Sequence, residues 1–398
     1  MQLQERPQAC RTSREIADLI RQHLRPNFPA FSKYSSTLEL EASNDFLRLR
    51  DQLRHALNTP HVGSFADARG RAKQRYRILA WNIERGKQLK GQLFEFRHHP
   101  YLKECDVLLL TETDLGMARS GNVDVAQTLA RELGFHYAFA PCYLSLVKGS
   151  GIERDIDGEN DLGLHGNAIL SRYPIRNVRH ISLKNGIDKM AGNEKRIGCQ
   201  AAVLADIDFP EASLPVACVH LDANSKQRHR AAQMRTVLNT LPLGPALIGG
   251  DWNTTTFDSS SAFHAIMGYC RRVLMGPGNV IRNHYLHPYR WFEKELFASL
   301  ERAGFDYRSA NHIGEYTIFY DVADIAAHKG LAEWVPGWCF PFIRWALREH
   351  NGGCPLKIDW FASRDLRCEN PRVLHDLREK RTTPLSDHDA IGVEILLA

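Results

Sequence analysis

One pattern constrains this chain more than any other: short apolar runs that stop abruptly at an acid or an amide. The plainest case is Ala246-Leu-Ile-Gly-Gly-Asp-Trp-Asn253. Its apolar part reads as a buried strand. The two glycines allow a tight turn and a close backbone approach to a ligand. Alternation along an extended chain puts Asp251 and Asn253 on the same side. A carboxylate and a carboxamide held at a strand end suit water activation or phosphate chemistry. Alone, an Asp after Gly-Gly is commonly a turn residue, so its meaning depends on partners elsewhere in the chain.

The pattern recurs. Arg77-Ile-Leu-Ala-Trp-Asn-Ile-Glu-Arg-Gly86 and Cys105-Asp-Val-Leu-Leu-Leu-Thr-Glu-Thr-Asp114 are apolar strands with polar groups at their ends. Two buried strands delivering amides and carboxylates at their termini offer hard oxygen ligands, which suit magnesium. Val216 to Asn224 reads as a strand ending in His220, a residue that is commonly structural in such a place. Pro355 to Ser363 is a strand bearing Asp359, and Leu385 to Leu397 sets Asp387 and His388 just before a final apolar strand. His165 to Ile175 reads as a strand followed by a Pro174 turn, and Lys195 to Leu204 as a strand headed by two cations. Helices are predicted from Val123 to Leu133, stopped by Gly134, from about Ser225 to Asn239, and from Trp291 to Leu300 ahead of Gly304.

The flanks carry less chemistry. Residues 1–75 read as a helical N-terminal extension packed on a main domain over 76–398. One helix runs from Ser13, a predicted N-cap, to Leu24, with Pro26 as its stop; a second runs from about Ser43 to Leu57. Arg69, Arg71, Lys73, Arg75 and Arg77 form a basic cluster, read as a solvated linker or a phosphate-facing patch. An aromatic-rich insertion lies within about 258–355. Its stretch 331–347 packs Trp334, Trp338, Phe340, Phe342 and Trp345 into little space, which fits a buried flap, a substrate-covering lid or a lipid-contacting surface. The segment 148–161, rich in Gly, Asp and Glu, reads as a loop without the spacing of a helix-loop-helix calcium site.

Bulk properties narrow the class. The hydrophobic set is 43% of the 398 residues and charged residues are 24%, ordinary for a globular protein with a sizeable core. A net charge of +5 suits an anionic substrate. No apolar run reaches the ~18 residues of a spanning helix, and the first residues lack the order of a secretory signal. Nine cysteines without a Cys-x-x-Cys pair argue against a disulfide framework or a zinc site. The expectation is a cytoplasmic monomer.

In order, Trp-Asn-Ile (81–83), Thr-Glu-Thr (111–113), Gly-Asn-Ala-Ile-Leu-Ser-Arg (166–172), His-Leu (220–221), Gly-Asp-Trp-Asn (250–253), Ile-Asp-Trp (358–360) and Ser-Asp-His (386–388) resemble the endonuclease/exonuclease/phosphatase superfamily of DNase-I-like phosphoesterases. The resemblance covers about residue 77 to the C-terminus. It implies an α/β four-layer sandwich, two packed mixed sheets flanked by helices. It further implies magnesium, with manganese as an alternative ion, bound by Glu112, Asn82 and Asp387. By the same resemblance Asp251 positions or deprotonates the attacking water, and Asn253 orients it or a phosphate oxygen. His388 binds the phosphoryl oxygen, Asp359 fixes the tautomer of His388, and His220 contacts the scissile phosphate. Arg196 and Asn224 are further substrate contacts. The tyrosine and nearby Pro-Asn of the abasic-site nucleases are replaced here by His220-Leu-Asp-Ala-Asn224, which argues against abasic-site repair. The implied partner is an anionic phosphoester: a nucleic acid, a lipid head group or an inositol phosphate. The rival from another class is a non-catalytic binding module that keeps the fold.

Overall fold

The computed structural model describes residues 8–66, 70–258, 261–321, 340–350, 352–379 and 381–397. In chain order its strands are β1 (His61–Ser64), β2 (Tyr76–Arg85), β3 (Val107–Leu115), β4 (His136–Ser145), β5 (Leu164–Ser171), β6 (Ile175–Leu183), β7 (Arg196–Gly198), β8 (Gln200–Asp208), β9 (Ser213–Val219), β10 (Ala246–Asp251), β11 (Ile318–Asp321), β12 (Gly353–Leu356), β13 (Asp359–Arg364), β14 (Arg367–Leu374) and β15 (Ala390–Leu396). The first sheet has the order β1-β4-β5-β3-β2-β15-β14, with β7 also paired to β4. The second has the order β13-β10-β9-β8-β6, and β11 and β12 form a separate pair.

The period of two along each strand builds the layers. Ile78 and Ala80 of β2 and Val107 and Leu109 of β3 face Val203, Ala205, Val216, Cys218, Leu247 and Phe361 of the second sheet. The alternate residues Leu79, Trp81, Ile83, Leu108 and Leu110 face outward, beneath Phe96, Val125 and Leu129 of the helices Leu89–His98 and Val125–Leu133. The outer face of the second sheet is covered by Met234 and Val237 of Gln227–Thr240 and by Leu296, Phe297 and Leu300 of Lys294–Arg302. The result is helix, sheet, sheet, helix, the four-layer α/β sandwich expected.

Three local expectations are corrected. The first helix is already formed from Gln8, where the described residues start, so Ser13 lies inside it and is not its cap; Ser43, by contrast, caps Asn44–Asn58 by accepting the Phe46 N–H at 3.2 Å. The reading of 1–75 as helical omits β1, which pairs antiparallel with β4 and so joins the main sheet. The single strand expected over Lys195 to Leu204 is two: β7 joins the first sheet and β8 the second. The break falls at Gly198, at φ +115°, where a Cβ would sit 2.4 Å from the Cys142 carbonyl oxygen. The basic cluster lies largely in an exposed linker leading into β2, one of its two readings, and three of its members are ion-paired: Lys73 with Asp106 (2.7 Å), Arg75 with Glu369 (2.9 Å) and Arg77 with Glu394 (3.0 Å). It sits at the start of β2, the far end from Asn82; Arg69 lies outside the described residues. Of the aromatic stretch, 331–339 lies outside the described residues and Phe340–Ala346 is a helix. Among the described residues no helix is long and apolar enough to cross a membrane.

Candidate active site

Strand direction gathers the polar ends. β2 runs parallel to β3, and β9 parallel to β10, so each pair ends at one edge. β13 is antiparallel to β10 and β15 to β2, so both begin there. The inward parity of the core then carries through to the edge: Asn82 follows Ile78 and Ala80, His220 follows Val216 and Cys218, Asp251 follows Leu247, and Asp359 precedes Phe361. Asp251 and Asp359 are register partners. Gly250 permits the close packing here: at φ +134° its Cβ would lie 2.2 Å from the Val219 carbonyl oxygen.

Asp251 is the centre. Its Oδ1 accepts the Asn253 N–H at 2.8 Å, and its Oδ2 accepts Asn82 Nδ2 at 3.1 Å. Two imidazoles approach that same Oδ2, His220 Nε2 at 3.5 Å and His388 Nε2 at 3.8 Å. Both distances are longer than a good hydrogen bond. The two rings therefore share a point of approach beside the carboxylate without closing on it. His388 Nδ1 lies 2.9 Å from Asp359 Oδ2, and the His388 carbonyl accepts Trp81 Nε1 at 3.0 Å. Asn253 spends one amide hydrogen on the Leu221 carbonyl (2.8 Å).

Glu112 completes the floor. Its Oε1 accepts Asn82 Nδ2 at 3.2 Å, and Arg85 Nε stands 3.6 Å from its other oxygen. Its backbone is left-handed at φ +53°, a conformation an L residue holds only when its surroundings enforce it. Asn167 is part of that enforcement: its Oδ1 accepts the Glu112 N–H at 3.3 Å, and its Nδ2 donates to the Ala201 carbonyl at 2.7 Å. Arg85 also pairs with Glu153, which with Asp114 and Glu194 surrounds the buried Arg119.

The electrostatics separate the groups. Burial, reinforced by Asp359, pushes the Asp251 carboxyl up to about 6, although His388 and His220 oppose the shift. Burial by itself would push His388 down, but the carboxylates of Asp359, Asp251 and Asp387 override it and raise the imidazole well above its usual range. Burial would likewise raise Glu112, yet Arg85, His220, His165 and His388 hold it well below the usual carboxylate range. The site thus combines an ionised carboxylate, a cationic imidazole and a carboxylate poised near neutrality.

Asp251, Asp359 and His388 bring one donor atom each within 4.8 Å of one another. That trio is a poor metal cage, because a protonated imidazole bound to Asp359 has no free lone pair. Glu112 and Asp387 fit a hard cation better: both are oxygen donors, both are partly exposed, and Glu112 remains ionised. Asn82 spends its amide on contacts within the protein. Its oxygen accepts the Glu84 N–H at 3.0 Å, while its NH2 faces the two carboxylates, so in this orientation it braces them. Ser386 ties the Asp387 segment to β2, donating to the Asn82 carbonyl at 2.6 Å.

The two expected substrate contacts have partners of their own. Arg196 lies over the Tyr143 ring (4.6 Å) and 3.9 Å from Glu194. Asn224 is tied through its backbone N–H to Asp222 at 3.1 Å. Sequence reasoning missed Thr317, whose Oγ1 accepts the N–H groups of Ile358 and Asp359, both at 3.1 Å, and whose carbonyl accepts the Asp389 N–H at 2.7 Å. One threonine therefore braces Asp359 and the segment of His388 together. The only local signal is the aromatic and β-branched run Tyr316-Thr-Ile-Phe-Tyr320, which announces a strand and nothing about a site.

Residues 79–388 match the sequence model of the Endonuclease/Exonuclease/phosphatase family. The chain belongs to that family, whose members are generally hydrolytic phosphoesterases or nucleases. No curated protein matches it. Among solved structures it is similar to an endonuclease/exonuclease/phosphatase from Beutenbergia cavernae (16% identity over 82% of this chain and 72% of that one, TM-score 0.48). It is also similar to the 3'-5' exonuclease NExo from Neisseria meningitidis (15%, 81% and 100%, 0.46) and to the human Nocturnin catalytic domain (15%, 86% and 97%, 0.45).

Proposed function

We propose that the protein is a divalent-cation-dependent phosphoester hydrolase that prefers phosphodiesters and uses water as its nucleophile. The observation that carries this reading is the approach of His220 and His388 to one oxygen of Asp251, with ionised Glu112 alongside. A phosphodiester is anionic and repels hydroxide. Magnesium or manganese held by Glu112 and Asp387, with Asn82 bracing the ligands, would neutralise phosphate oxygens and stabilise the leaving oxyanion.

The remaining work belongs to the chain. Asp251 aligns the water and takes its proton as the new P–O bond forms opposite the leaving oxygen. A carboxyl poised near neutrality suits that exchange. His388, kept cationic by Asp359, donates to a phosphoryl oxygen as charge develops there, and His220 contacts the same phosphoryl group. The second Nδ2 hydrogen of Asn253 orients the water or a phosphate oxygen. Arg196 and Asn224 serve as outlying substrate contacts.

The test is turnover of bis-p-nitrophenyl phosphate, DNA, RNA, sphingomyelin and inositol phosphates, with magnesium and with a chelator. Asp251→Asn should lower the rate about 10²–10⁴-fold while the thermal midpoint holds or rises, since a buried charge is removed. Activity indifferent to the chelator, or a variant as fast as the parent, overturns the mechanism. Silence on every substrate favours the binding-module rival. The substrate arms separate a nuclease from an enzyme of lipid or inositol head groups.

A further inference from the structure

The helix Ala262–Leu274 is amphipathic in the opposite sense from an ordinary surface helix. At 3.6 residues per turn, Phe263, Met267, Cys270 and Leu274 fall within a sector about 60° wide. All four are exposed, Phe263 at 68%, Met267 at 52% and Leu274 at 88%. The charged Arg272 points the other way and is buried. It donates to the Gly268 carbonyl (2.9 Å) and to Thr256 Oγ1 (3.0 Å), and it lies over the rings of Phe257 (4.1 Å) and Phe292 (4.6 Å).

The surroundings are cationic and aromatic. Residues 261–292 contain Arg271, Arg272, Arg282 and Arg290 and no Asp or Glu. Arg271, Arg282 and Arg290 are exposed, as is Trp291, with Arg271 5.6 Å from its ring. The helix Phe340–Ala346 adds exposed Phe342, Arg344 and Trp345, and Arg348 lies 5.2 Å from the Trp345 ring. Met275 and Leu347, each one residue past its helix, pack on the same small core.

We propose that this face docks on an anionic lipid bilayer surface. Exposed Leu, Met and Phe would enter the acyl boundary, Trp would sit at the head-group level, and the arginines would meet lipid phosphates and carboxylates. A second copy of the chain is a poorer occupant, because two-fold pairing sets these arginines against their own copies with no acid in 261–292 to offset them. A nucleic acid strand would stack on Trp and Phe and meet Arg, but it gains nothing from Leu274 and Met267. The face is also fixed to the candidate site: Arg272 holds Thr256, a β-branched residue at φ +67°, three residues beyond Asn253. Docking itself does not depend on the phosphoesterase reading.

The experiment is co-sedimentation of the full chain with phosphatidylcholine vesicles and with vesicles in which about a third of the lipid is phosphatidylserine. Binding should be strong only to the anionic vesicles and should weaken with salt. The double variant Met267→Ser/Leu274→Ser should lose about tenfold or more in partitioning and keep the parent's thermal midpoint. Arg271→Glu/Arg282→Glu should lose the preference for phosphatidylserine. No sedimentation, or a double variant that sediments like the parent, overturns the proposal. So does a dimer in light scattering that the double variant abolishes, or single-stranded DNA binding that competes with the vesicles.

Discussion

Arg119 illustrates how much a single buried cation holds at the residue scale. Its side chain is 1% exposed and reaches Asp114 (2.8 and 3.0 Å), Glu194 (2.9 Å) and Glu153 (3.2 Å). Glu153 also binds Arg85, which stands beside Glu112. A chain of ion pairs therefore links Arg119 to the candidate metal ligand through two intervening groups. Arg119→Met would leave three enclosed carboxylates without their common partner. The expected loss is about 3–5 kcal/mol in denaturant unfolding. A loss under about 1 kcal/mol would mean that the carboxylates are solvated like surface pairs.

At the scale of elements, the seam between β1 and β4 makes a pH prediction. His61, the first residue of β1, is buried against Phe139 (ring centroids 5.8 Å), and its Nε2 has no hydrogen-bond partner. Burial pushes its imidazole down to about 4. A base depressed in the folded state binds its proton first in the unfolded chain. Its neutral form therefore costs nothing above the unfolded value, near 6.5. Stability is lost as pH falls from there towards 4, by at most about 3 kcal/mol. Urea unfolding at pH 7 and at pH 4.5 should show that loss in the parent and a smaller one in His61→Phe. Equal losses would mean that water already reaches the imidazole.

For the whole molecule, the N-terminal helices are part of the layer over the first sheet. Ile16, Ile20, Phe31 and Leu53 share one core with Phe139, Leu144 and Leu164, and β1 extends the sheet itself. A chain beginning at residue 76 would expose that apolar face and an unpaired edge of β4. It should aggregate or unfold without a cooperative transition in calorimetry. A soluble 76–398 fragment with the parent's melting temperature would instead make the extension a separate unit.

Local chemistry was legible in the sequence. Short continuous apolar runs marked β2, β3, β10 and β15, and the polar groups at their ends drew attention to Asn82, Glu112, Asp251, Asn253 and His388. The ordered motifs added the roles expected of these residues and of His220, Asp359 and Asp387, and the family. Such patterns survive in one dimension because they follow from the geometry of a few neighbouring residues. Tertiary structure alone decided the rest. It paired Asp251 with Asp359, turned the NH2 of Asn82 to two carboxylates, and brought Thr317 beneath Asp359. It split one predicted strand between two sheets and turned the apolar side of Ala262–Leu274 to solvent. The physical reason is common to all of these. Sheet register and the choice of covered face depend on partners tens to hundreds of residues away, and no local periodicity encodes which partner arrives.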